Sequence, residues 1–163
     1  MISILLAGAL ALATPDPFAD RAFLHIRVDA MLSRRTRRID VIAHNVPDHG
    51  IRFLFRRIDG GDGAPDGWAT GEACPAAIDR LESLSRVALP TANVPGVDPP
   101  PTQIILDGAA YTIDVHAVHP DGQPGDLRVT SNVGAPIAQW VDALSVALEP
   151  CWQPVRPPGF PTL

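Results

Sequence analysis

From Ala22 to Leu32 the chain alternates without interruption. Leu24, Ile26, Val28, Ala30 and Leu32 fall on one side, and His25, Arg27 and Asp29 on the other. A period of two is the repeat of a strand with one buried and one wet face. Polar Ser33–Arg38 then breaks the pattern, and is read as a hairpin turn or its flanks. Ile39, Val41 and Ala43 resume the alternation in a second strand. Asn45–Gly50 carries Pro, Asp and Gly, residues suited to turn backbone angles. A third strand is expected over Ile51–Ile58, with Ile51, Phe53 and Phe55 inward and Arg52 and Arg56 outward. Leu54 shares that outer face, so some cover is expected there too.

Asp59–Gly67 reads as a Gly/Asp/Pro loop. Beyond it the period changes. Ile78, Leu81, Leu84 and Val87 or Ala88 recur at helical spacing behind Pro75, a favoured first-turn residue. Pro90 is expected to end that helix, and Pro90, Pro95 and Pro99–Pro101 predict an extended, semi-rigid crossing. Gln103–Leu106 then reads as a short strand, Tyr111–Ala117 as a longer one and Asp126–Ser131 as the last, with turns at Asp107-Gly108 and His119–Gly125. A second helix opens at Pro136, carries Ile137, Trp140, Val141, Leu144 and Leu148 on one stripe, and stops at Pro150.

The expected order is therefore βββα-βββα. The fold class is α+β: a two-layer sandwich of about six antiparallel strands with two antiparallel helices on one face. The 163 residues suit one domain, read as 14–151. An internal duplication, with halves at 20–89 and 102–151, is an expectation resting on the repeated layout. The tail 152–163 is Pro-rich and expected to be irregular.

Residues 1–13, MISILLAGALALA, carry no charged side chain and end in a small-x-small pattern before Thr14-Pro15-Asp16-Pro17 turns polar. This is the pattern of a cleaved export signal, and it is shorter than the about 20 apolar residues that span a bilayer. The chain has 2 cysteines. In an exported domain an even number implies a bridge, so Cys74–Cys151 is expected, joining the start of the first helix to the end of the second. Neither cysteine lies in a C-x-x-C pair, which removes support for redox or zinc chemistry.

The net charge of −5 conceals an asymmetry: all 13 basic residues are arginine, and most lie between Arg21 and Arg57. Arg34, Arg35, Arg37 and Arg38, backed by Arg52 and Arg56, form the one local feature with a functional edge. Guanidinium groups clustered at a hairpin can hold carboxylates or phosphates bidentately. A solvated turn with charges paired to nearby Asp is the competing reading. An acidic whole domain without interleaved aromatics argues against nucleic acid.

His25, His44, His49, His116 and His119 show no metal-ligand spacing and are read as exposed strand and turn residues. No nucleophile elbow, phosphate loop or calcium loop is present, so no catalytic residue, metal ligand or cofactor is assigned. The expected function is binding by a non-catalytic exported protein of a bacterial envelope or periplasm, its partner an acidic protein or an anionic envelope component. A small hydrolase with an unrecognised site, or an assembly role, is the alternative.

Overall fold

The computed structural model describes residues 21–30, 35–47, 49–60, 66–89, 97–98, 108–118 and 122–160. The leader, Arg34, His119 and the strand expected at Gln103–Leu106 lie outside the described residues.

Six antiparallel strands form one sheet: β1 (Leu24–Ala30), β2 (Arg35–Val46), β3 (Gly50–Asp59), β4 (Gly67–Thr70), β5 (Ala109–Val118) and β6 (Pro124–Asn132). Their spatial order is β4-β3-β2-β1-β5-β6. Helices α1 (Pro75–Ser83) and α2 (Pro136–Leu148) cover one face, giving the expected two-layer α+β sandwich. Leu24, Ile26, Ile39, Val41, Phe55 and Ile113 point from the sheet into this layer, against Trp140, Val141, Leu144 and Leu148 of α2. The period-two and helical patterns thus meet in one core, and each such side chain contributes about 1.5–3 kcal/mol on burial.

α2 follows its sequence stripe closely: Ile137, Trp140, Val141, Leu144 and Leu148 are all buried, and proline opens the first turn. α1 does not. The apolar stripe predicts a helix running to Pro90, but α1 ends at Ser83 and tightens into a single 3-10 turn, Leu84–Arg86. Hydroxyls explain part of this, because Ser83 Oγ donates back to the Arg80 carbonyl at 2.7 Å and so competes for helical acceptors. Val87 is already extended.

Three further expectations need correction. Arg35–Arg38 belong to β2, not to a turn, because each pairs with β1 in continuous register from Ala30↔Arg35 to Arg27↔Arg38. Ile51, expected inward, is 63% exposed, and Ala43 is exposed as well. Both sit near the β2–β3 turn, where Gly50 takes a left-handed φ of 74°. Finally, β4 falls where the sequence suggests no strand. Its four residues pair with β3 from Leu54↔Thr70 to Arg57↔Gly67.

Cys74 and Cys151 form the expected disulfide, with Cα atoms 5.9 Å apart. Cys74 caps the start of α1 and Cys151 lies in the 3-10 turn Glu149–Cys151 that follows α2. At the other end of the helix pair, Trp140 Nε1 donates to the Arg80 carbonyl at 2.8 Å. The two helices are thus joined at both ends.

The tail is irregular but docked. Trp68 and Gln153 exchange backbone hydrogen bonds at 2.8 Å, closing the β4 edge. Phe160 then buries against Ala22, Ile42, Leu54 and Trp68 on the outer face. This is the cover that Leu54 calls for. Among the described residues, no helix is long and apolar enough to cross a membrane.

Candidate functional site

Alternation places Arg38, Asp40, Arg52 and Arg56 on the outer face, and Arg35, Arg37 and Arg57 on the helix face. Arg52 and Arg56 therefore share a face, and Arg57 points away from them, over the Trp152 ring at 5.0 Å. The sequence cluster is divided between two surfaces rather than gathered on one.

On the outer face, in-register pairing lines up one row across the entire sheet: Trp68, Arg56, Asp40, His25, Asp114 and Arg128. Asp40 is its centre and is fully buried. Arg56 donates to Asp40 Oδ2 from Nε at 3.0 Å and from a terminal nitrogen at 2.6 Å. Arg38 Nε lies 3.2 Å from the same oxygen. His25 Nδ1 is 2.8 Å from Oδ1. Burial alone raises the Asp40 pKa, but the hydrogen bonds from His25 and Arg56 and the charges of Arg56 and Arg38 outweigh it, leaving the carboxyl below its ordinary value. An ionised Asp40 only accepts, so His25 donates to it from Nδ1.

His116 repeats this arrangement with Asp126, its Nδ1 against the carboxylate. The two imidazoles meet edge to face with centroids 5.6 Å apart. Together with Asp114, which holds Arg128, they line a shallow concavity of about 520 Å³. The sequence reading of His25 as exposed is corrected here, since strand register packs it onto the buried Asp40; His116 is exposed as expected, although register sets it against Asp126. Chemically the concavity offers two oriented imidazoles, but rings already in contact leave no gap for a substrate between them. Among the described residues, no serine, threonine or cysteine lines it. Among the described residues, no three His, Cys, Asp or Glu side chains converge to hold a metal ion.

Most of the arginine cluster is spoken for. Arg37 Nε bonds Asp59 at 2.8 Å, Arg52 bonds Glu72 and stacks over Phe160 at 4.8 Å, and Arg38 and Arg56 serve Asp40. Arg35 differs: it is exposed and has no carboxylate partner among the described residues. With Arg37 it lines a groove of about 730 Å³ beside α2, walled by Val28, Ala30 and Val146 and edged by Ser145. The groove's acids are engaged, Asp59 by Arg37 and Asp142 by the Tyr111 hydroxyl at 3.1 Å. Burial first, then the hydrogen bond and charge of Asp142, raise the Tyr111 pKa, so it stays a neutral donor.

A second groove, of about 400 Å³, opens on the other side of the helix pair. It is apolar, walled by Leu84, Val87, Leu89, Ile113, Leu127 and Val129. No sequence signal points to it, because its walls come from α1 and the segment that follows it, β5 and β6 together.

No family model, curated protein or solved structure matches this chain. Its function has to be read from these surfaces.

Proposed function

We propose that this is an exported, non-catalytic binding protein of a bacterial envelope, and that its ligand-facing surface is the groove beside α2. The observation that carries the reading is Arg35. In a cluster whose other described members are neutralised by Asp or Glu, it stands exposed at a groove with apolar walls. A guanidinium with no carboxylate partner among the described residues, beside Val28, Ala30 and Val146, suits a carboxylate flanked by apolar groups, as on an acidic peptide segment. The disulfide supports an oxidising compartment, where such bridges persist. On this reading residues 1–13 are removed on export, and mass spectrometry of the protein from its host should show an N-terminus near Thr14.

The test is an NMR titration with a short peptide of alternating Glu and Val. Shifts should concentrate at Val28, Ala30, Arg35 and Val146, weaken as salt rises, and vanish in Arg35→Glu. Equal shifts with a Lys–Val peptide, or shifts scattered over the molecule, sink the assignment.

A further inference from the structure

The two edges of the sheet are treated differently. β4 is closed by the Gln153 bridge. β6 pairs with β5 without a bulge from Ala110↔Asn132 to Val118↔Pro124, and nothing among the described residues pairs with its other side. A long, regular edge is a template for another strand unless bulges, inward charges or like-charged side chains guard it.

The outward hydrogen-bonding groups of β6 can be assigned. His116 donates its backbone N–H to Phe23, towards β1. In β5, therefore, Tyr111, Ile113 and Val115 turn their polar groups towards β6, where their partners are Ser131, Val129 and Leu127. The alternate residues Asp126, Arg128 and Thr130 turn theirs outward. Pro124, which has no N–H, falls in the same outward set.

We propose that two copies of this chain pair antiparallel along β6, about a two-fold axis through Leu127. In that register Asp126 lies opposite Arg128 of the second copy, and Arg128 opposite its Asp126. These are outward-facing residues, so they exchange backbone hydrogen bonds, about six in all when the Pro124–Thr130 pairs are included. Both side chains are highly exposed in the single chain, at 79% for Asp126 and 75% for Arg128. Each then gains an opposite charge while keeping its own neighbour, His116 or Asp114. The polar row of the outer face continues into the second copy as His116, Asp126, Arg128, Asp114.

Charge selects this register. Moving the axis one residue either way sets Arg128 against Arg128 or Asp126 against Asp126, and like charges directly opposite are destabilising. On the helix face, Leu127, 45% exposed alone, meets Leu127 of the second copy. The two apolar grooves, each floored by Leu127 and Val129, become continuous across the axis. Such an interface is self-complementary, as a two-fold dimer requires.

Sedimentation over a concentration series should show a monomer–dimer equilibrium. Asp126→Arg and Arg128→Asp should each raise the dimer Kd by at least about tenfold, because two attractive pairs become repulsive. An equimolar mixture of the two variants should restore the dimer. In the mixed pair the arginine introduced in one copy faces the aspartate introduced in the other. Circular dichroism confirms that each variant is folded. If either is not, hydrogen exchange on the unaltered chain decides: the Asp126, Arg128 and Thr130 amides should gain protection as concentration rises. A chain that stays monomeric at its solubility limit, a dimer indifferent to both reversals, or a mixture that fails to reassociate overturns the proposal.

Discussion

Asp40 is the residue on which the outer face turns. Its carboxylate is fully buried and serves two guanidiniums and an imidazole. Removing one member of a buried ion pair leaves the other charge uncompensated, which costs about 3–5 kcal/mol. Asp40→Asn should therefore destabilise the fold by about that much in urea unfolding, because the Arg56 side chain, 5% exposed, keeps its charge. A loss below about 1 kcal/mol would show that water reaches Arg56. The same carboxylate sets an acid limit. Its folded pKa lies below its ordinary value, so its contribution is complete above an unfolded pKa of about 3.9 and disappears as pH falls through the lower folded value. Wild-type stability should thus drop below about pH 4, and Asp40→Asn should flatten that part of the profile. His25 can be read from the sequence as an outward strand residue. Its partner cannot, because the register that sets Asp40 opposite it depends on the length of the intervening turn.

At the scale of elements, legibility follows the length of the repeating pattern. β1, β2, β3 and α2 carry several apolar residues in period, and the structure places them as the alternation and the helical stripe require, apart from Ala43 and Ile51 beside the β2–β3 turn. β4 has only Gly-Trp-Ala-Thr, too short to show a period, and it exists because β3 on one side and Gln153 on the other supply hydrogen bonds. The tail is legible only as irregular. Its docking depends on an apolar patch assembled from Ala22, Ile42, Leu54 and Trp68, four separate segments. Phe160→Ala should cost about 3–4 kcal/mol, the lower part of the range for a large aromatic, since one side of the ring meets Arg52 rather than core. Chemical denaturation measures this. Stability equal to wild type would mean that the tail contributes little to the cover of the outer face. The arginine cluster shows the same limit at the site. Its members are legible as a group, but their division between two faces follows from β2 beginning at Arg35.

Across the whole molecule, the bridge ties the last helix to the first. Cys74 and Cys151 are 77 residues apart in sequence, so the closed loop takes in β5, β6 and both helices. The pairing is legible because two cysteines allow one connectivity, and because helix ends marked by Pro75 and Pro150 come together when neighbouring helices run antiparallel. Closing a loop of this length restricts the unfolded chain by about 4–5 kcal/mol in the chain-entropy model, an upper figure because denatured chains keep some structure. Replacing both cysteines with serine should therefore lower the melting temperature by roughly 5–15 °C. α1 should be the first element to loosen. It is nine residues long, short for a helix standing alone, and only Ala77 of its side chains is fully buried. Differential scanning calorimetry of the wild type, the wild type under reductant and the double serine variant separates the two contributions. Reduced wild type and the variant should melt together, both below the oxidised protein. Three coincident melting temperatures would place the fold's stability in the sheet and α2 alone, with the bridge serving only to hold the start of α1 and the tail in place.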